Sequence, residues 1–249
     1  MYFRDMRYAT ILICCLFYQT EVSAQSTDDI IRKHIEAVGG EENWAKIETI
    51  VIKSQSENKG NFLYLTKSAR RDSCIRSDIR MQNKMAGRND KMYYILINRN
   101  EGWKYLPEDR NNTIYTLYPS EIEEYRDELD YEDPFIRYQD KGRDIQMTGL
   151  EYYHDIEYYK FMIKYKTGKK VNCYLNSTTL MIDLIEATDT QTENLQRFLD
   201  YETLPEGIVM AKRIIGTGGE KRIDSVIINH PLEESLFKPS DRNLYYIRH

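Results

Sequence analysis

The sequence predicts an α+β protein, mainly antiparallel β, in which one long sheet curls towards a barrel. Three observations carry that prediction. Apolar–polar alternation of period two recurs in some dozen short runs after Ile47, evenly spaced and mostly joined by short turns, as in an antiparallel meander. No amphipathic helices alternate with those runs, so the crossovers of a parallel sheet are missing and a doubly wound α/β fold is excluded. Tyrosine is in excess, 21 residues against 7 Phe and 2 Trp, and Tyr favours strands and boundaries where one end of the ring is dry and the other wet.

Size and charge narrow the function classes. A chain of 249 residues can bury a sizeable core. With 35 Lys+Arg interspersed among 40 Asp+Glu, for a net charge of −5, it lacks the basic footprint of a nucleic-acid binder. At 30% charged residues it is no multi-span membrane protein.

The first segment reads as an address. Arg4 and Arg7 precede the apolar run Ala9–Tyr18, and Val22-Ser23-Ala24 offers small residues before Gln25, the order of a secretory signal peptide cleaved after Ala24. The run is too short to span a bilayer. A lipid anchor at Cys14 would need a small residue before it, where Ile13 stands. Residues 1–24 therefore read as a leader, and the mature chain keeps Cys74 and Cys173, either one long-loop disulfide or two buried thiols.

The elements follow in order. Ser26-Thr27-Asp28-Asp29 supplies an N-cap and first-turn carboxylates; Ile30, Ile31, His34, Ile35 and Val38 form one helical stripe; Gly39-Gly40 stops it. Glu41–Ile47, with Trp44, reads as a further short helix. Strands are expected over 49–55, 61–67, 73–81, 91–98, 102–106 and 113–118. After a break they resume over 145–152, 158–166, 170–176, 181–188, 196–202, 209–217 and 222–229. Between the two sets lies a second helix, opened by Pro119-Ser120-Glu121 and carrying Ile122, Tyr125 and Leu129 on one side, ended at Asp133-Pro134. Its eight carboxylates, among them Glu123, Asp127, Asp130 and Glu132, have no EF-hand order and are expected on the solvated back of the helix.

Catalytic signatures are missing: no G-x-S-x-G, H-E-x-x-H, P-loop or G-x-G-x-x-G occurs, and Gly216–Gly219 joins two strands as a turn. His34, His154, His230 and His249 stand without metal-ligand spacing, so no metal and no cofactor is expected. Arg76 and Arg80 share a strand face, as either a polar rim of the sheet or an anchor for an anionic headgroup, because a guanidinium suits carboxylate or phosphate. Asn111-Asn112-Thr113 matches a glycosylation sequon, a pattern too common to carry weight.

Three stretches resemble one family. Asp29–Gly40 followed by Ile47-Glu48-Thr49-Ile50 is similar to the N-terminal helix and first strand of the periplasmic outer-membrane lipoprotein-sorting proteins, the LolA-like group. Glu101-Gly102-Trp103 with Pro107 resembles that group's Gly-Trp element, and Pro134–Tyr138, Gly142, Met147-Thr148-Gly149 and Asn176–Leu180 resemble its central section. The resemblance implies one half-barrel domain over residues 25–249: a strongly curved incomplete β-barrel with an N-terminal helix and a helical lid over the concave face, whose apolar hollow shelters acyl chains. It implies a periplasmic, non-enzymatic carrier or sensor, with lipid or lipoprotein acyl chains, and inner- or outer-membrane lipoprotein machinery, as partners. On that reading Phe62, Tyr64, Tyr93, Ile95, Ile97 and Trp103 are wall candidates, their facing open because a one-residue slip inverts it. Ile122, Tyr125 and Leu129 are lid candidates, and Arg76 and Arg80 the headgroup candidates. Two alternatives stay open: the same stripe as a filled core, or an envelope interaction module using exposed tyrosines such as Tyr152, Tyr153, Tyr158 and Tyr159 on glycan or protein.

Overall fold

The computed structural model describes residues 26–58, 61–83, 91–106, 113–188 and 194–239. The leader 1–24, Pro107 and the sequon residues Asn111 and Asn112 lie outside the described residues. The chain begins with α1 (Thr27–Ala37) and α2 (Glu41–Ala45). A first meander follows, of β1 (Thr49–Asn58), β2 (Asn61–Arg70), β3 (Cys74–Asn83), β4 (Lys91–Ile97), β5 (Gly102–Tyr105) and β6 (Ile114–Thr116). After α3 (Pro119–Leu129) comes a second, of β7 (Asp144–Tyr153), β8 (Ile156–Lys164), β9 (Lys170–Asn176), β10 (Ile182–Ala187), β11 (Leu195–Thr203), β12 (Val209–Gly216) and β13 (Gly219–Ile228), ending in a 3-10 helix at Glu234–Phe237.

All thirteen strands form one antiparallel sheet in the order β6-β5-β4-β3-β2-β1-β13-β12-β11-β10-β9-β8-β7. The two meanders are stitched by β1 against β13, Ile50 opposite Ile228 and Ile52 opposite Val226. Asn229 pins the seam: its amide donates to the Lys46 carbonyl and its side-chain oxygen accepts from the Glu48 N–H. The barrel does not close, since β6 and β7 remain edges. They are consecutive in sequence, so α3 and residues 130–143 join the two edges of the sheet.

The helices lie on the concave face. Ser26 caps α1 by accepting from the Asp29 N–H at 3.2 Å, and the helix lays Ile30 and Ile31 on Phe135, Phe161, Ile163 and Cys173. Trp44 of α2, 1% exposed, packs with Ile47, Ile50, Ala69 and Ile208; full burial of a large apolar side chain is worth about 1.5–3 kcal/mol. Gly39, at φ +107°, makes the α1–α2 corner possible, because a Cβ there would sit 2.3 Å from the Gly207 carbonyl oxygen. Cys74 and Cys173 are both free and buried. They belong to non-neighbouring strands and to different apolar clusters.

Candidate functional site

Strand register sorts the candidate residues by face. Ala69, Ile75 and Ile97 form one cross-strand row, and Lys67, Ser77 and Ile95 the next; Leu65, Ile79 and Tyr93 follow, then Leu63 beside Met81. Ile75, Ile95 and Ile97 are covered by Leu117, Ile122, Tyr125 and Leu129, so these rows make the inner face and α3 is its lid. Gly102 lets the lid sit close: a Cβ there would lie 2.8 Å from Leu117 Cδ1 and 3.0 Å from Ile122 Cγ1.

Of the wall candidates, Tyr93, Ile95 and Ile97 face inward with the lid residues Ile122, Tyr125 and Leu129. Phe62, Tyr64 and Trp103 do not. Phe62 pairs with Gln82, Tyr64 with Arg80 and Trp103 with Leu96, all on the outer parity. Phe62 lines an outer pocket of about 350 Å³ with Gln55, Glu57, Glu220 and Arg222. The slip is one residue: Leu63 and Leu65 point where Phe62 and Tyr64 were expected.

The headgroup candidates also lie outside. Arg76 is fully buried, its guanidinium on Asp78 at 2.7–2.9 Å and on the Leu236 carbonyl at 3.0 Å, stacked 4.3 Å over the Tyr94 ring. Burial pushes the Asp78 carboxyl up even with Arg76 against it. The 3-10 helix closes this face, as Leu232, Leu236 and Phe237 join Cys74, Tyr94, Leu96 and Tyr105. Arg76 is thus a polar strut inside an outer apolar cluster. Arg80 stacks 4.4 Å over Tyr64 on the same face.

Beyond the end of α3 the inner face changes character. Leu63, Leu65, Ile79, Met81 and Tyr93 are half-buried and belong to none of the four apolar clusters of the described residues. Two lysines face the same space. Lys67, between Ile52 and Ser77, donates from Nζ to the Asp130 carbonyl at 3.3 Å; Lys221 lies between Ser56 and Ile214. Burial, helped by the positive charge of Lys221, lowers Lys67 to about 8 against the opposing pull of Asp130 and Glu128, and burial lowers Lys221 too. Sequence reading missed both lysines. The signal for Lys67 was present, because in Leu63-Tyr64-Leu65-Thr66-Lys67 it occupies the apolar parity. Lys221 was hidden by the β-bulge at Lys53–Ser54, which shifts the β1–β13 register.

The acidic stretch is not a solvated back throughout. Glu132, its side chain 1% exposed, bonds Arg71 at 2.9 Å, Lys141 at 2.7 Å and Arg137 at 3.2 Å, and Asp130 bonds Lys141 at 2.7 Å and Arg143 at 2.6 Å. Lys141 and Arg143 outweigh the burial of Asp130 and hold its carboxyl low. This network floors a charged groove of about 600 Å³ between the β2–β3 turn, residues 98–100 and α3. The carboxylates left the helix back because the segment after α3 must bring the chain across the sheet, and its polar groups are then buried and need partners. His34 sits beside this segment, fully buried, with Nε2 2.9 Å from Asp133 Oδ1 and Nδ1 2.6 Å from the Leu180 carbonyl. Burial pulls its pKa down, but Asp133 and the carbonyl more than offset that, so the net shift is upward.

Among the described residues no group of three or more His, Cys, Asp or Glu side chains is placed to hold a metal ion, and no helix is long and apolar enough to cross a membrane.

No protein-family model and no curated protein matches the chain. Solved structures do. A DUF1329 family protein from Desulfovibrio piger superposes with a TM-score of 0.56 at 14% identity, over 84% of this chain and 97% of that one. A putative outer membrane lipoprotein-sorting protein domain from Vibrio parahaemolyticus gives 0.51 at 13%, over 86% and 98%. A LolA superfamily protein from Nitrosomonas europaea gives 0.50 at 12%, over 84% and 96%. The chain has a LolA-like fold.

Proposed function

We propose that the protein is a non-enzymatic carrier or sensor of the bacterial periplasm that shelters the acyl chain of a lipid or lipoprotein in its half-barrel. One observation carries the reading: the inner face, packed under α3, continues past the lid as the half-buried apolar rows of Leu63, Leu65, Ile79, Met81 and Tyr93. Apolar surface left unfilled on the inside of a curved sheet is a place for an apolar guest, and each methylene it removes from water is worth about 0.8 kcal/mol. The lid supports the same reading, because α3 sits at the junction of the two sheet edges and covers Ile75, Ile95 and Ile97 of the inner face. Secretion through the leader 1–24 would bring the protein to the envelope, where lipoprotein machinery supplies or receives such chains.

Native mass spectrometry of the protein purified from an envelope fraction tests this. Adducts of lipid mass that reload from added lipid after delipidation are the expected result; a ligand-free spectrum before and after lipid addition would refute it.

A second reading has its own observation. Leu150, Tyr152, Tyr153 and Ile156 are exposed on the hairpin of β7, an edge strand, though Tyr158 is buried and Tyr159 half-buried. An interaction module would dock a partner there, and substituting Tyr152 and Tyr153 by Ser would abolish pull-down of an envelope partner without changing lipid uptake.

A further inference from the structure

The inner face carries positive charge where an acyl carrier needs none. Lys67 and Lys221 flank β1 on the inner side, on β2 and β13, and share their rows with the hydroxyls of Ser77 and Ser56. Among the described residues neither ammonium is in an ion pair: Lys67 Nζ donates to one backbone carbonyl, and Lys221 is bonded through its backbone, in the ladders with β1 and β12, with no partner for its side chain. Among the described residues the fully buried charges Arg76 and Glu132 are matched closely, Arg76 by Asp78 and Glu132 by three cations. Both lysines are half-buried and water still reaches the Lys221 ammonium, so the two partly dehydrated, unpaired amines are better matched by an anionic guest than by a purely apolar one.

We propose that Lys67 and Lys221 receive the anionic end, carboxylate or phosphate, of a single-chain amphiphile whose hydrocarbon lies over Leu63, Leu65 and Ile79. The proposal rests on the acyl-binding reading above and narrows it from any acyl chain to amphiphiles with an anionic terminus. The geometry suits the task. Lys67 stands where the covered rows under α3 meet the open apolar rows, and its ammonium is held at the end of α3 by the Asp130 carbonyl. An arriving anion would find the three charge-assisted donors of an ammonium with only one in use. The charged groups facing Lys67 are Lys221 from β13, Glu128 from α3 and Asp130 just past its end, and burial first, then the neighbouring Lys221 charge, loosens its proton. An anion between the two amines would reverse that, so binding takes up protons at pH 8.5.

Displacement of the neutral dye N-phenyl-1-naphthylamine by palmitate, hexadecyl phosphate and hexadecanol, all of equal chain length, tests the proposal. The two anions should displace the dye at about tenfold lower concentration than the alcohol, the scale of one charge-assisted hydrogen bond. In Lys67→Met with Lys221→Met that gap should close while hexadecanol displacement stays as in the wild type. Calorimetry in two buffers at pH 8.5 should record proton uptake with palmitate in the wild type only. Equal displacement by acid and alcohol, or an unchanged gap in the double variant, overturns the proposal and leaves acyl binding standing. Thermal stabilisation by inorganic phosphate as large as that by hexadecyl phosphate would mean a free-anion site and overturn it as well. Failure of all three amphiphiles, the alcohol included, would refute both readings.

Discussion

Two residues, the buried His34 and the half-buried Lys67, tie stability to pH in opposite senses. His34 has an acceptor on each ring nitrogen, so its doubly protonated form alone satisfies both Asp133 and the Leu180 carbonyl. Its folded pKa is raised, so this contribution is complete below the unfolded value of about 6.5 and fades as pH rises through the folded value. His34→Leu should cost about 1–3 kcal/mol at pH 6, with a smaller penalty at pH 9, as read by urea unfolding. Lys67 acts the other way. Its pKa falls from 10.5 unfolded to about 8 folded, so between those values the unfolded chain binds the extra proton and stability increases with pH. Because Lys67 is half-buried and screened by solvent, the effect stays below about 3 kcal/mol, the worth of the full shift, and Lys67→Met should remove the rise across pH 8–10. A mutant curve parallel to the wild type would show that the amine is solvated. Neither residue was legible as a site in the sequence: His34 was readable as a core histidine, but its partner lies 99 positions away. Lys67 required treating its alternation with Leu63 and Leu65 as stronger information than its charge.

At the scale of elements, the lid depends on a missing side chain and the segment after it on paired charge. Gly102→Val would place methyl groups where Leu117 and Ile122 now lie. It should lift α3, costing about 1–3 kcal/mol and raising dye binding to the exposed Ile95 and Ile97. Glu132→Ala removes the carboxylate that Arg71, Arg137 and Lys141 share while Arg137 keeps Asp72 and Lys141 keeps Asp130, and should cost about 1–3 kcal/mol by thermal or denaturant unfolding, whereas loss of the exposed pair Arg32–Glu36 should be nearly silent. The elements themselves were well marked in the sequence. Ser26, Gly39 and Pro119 punctuate the helices, and period-two runs locate the strands, since these are local signals. The facing of β2 and β5 was not local. Phe62, Tyr64 and Trp103 are as apolar as Leu63, Leu65 and Tyr93, so both faces of these strands bury side chains, and only the packing of the 3-10 helix and α3 on opposite faces tells outside from inside. The fate of Asp130 and Glu132 was equally hidden, because the partners of Asp130 come from 11 or more residues away and Glu132 is also met by Arg71 from another turn of the fold.

For the whole molecule, the topology leaves part of the inner face outside the apolar clusters of the described residues. Thirteen strands make one sheet whose edges, β6 and β7, are joined by a helix instead of by hydrogen bonds, so the barrel stays open on one side. α1 and α2 fill the part of the concave face over β1 and β8–β10, and α3 covers β3 and β4; the remaining rows of β2–β4 are left half-buried. The central claim is that these rows, and not the outer face or the β7 edge, hold an acyl chain. Photolabelling with a diazirine-bearing palmitate followed by peptide mass spectrometry tests it most directly. Labels confined to Leu63, Leu65, Ile79, Met81 and Tyr93, and competed away by unlabelled palmitate, are the predicted result. Labels on Phe62, Tyr64 and Trp103 or on Tyr152 and Tyr153, or labelling that excess palmitate does not reduce, would contradict it.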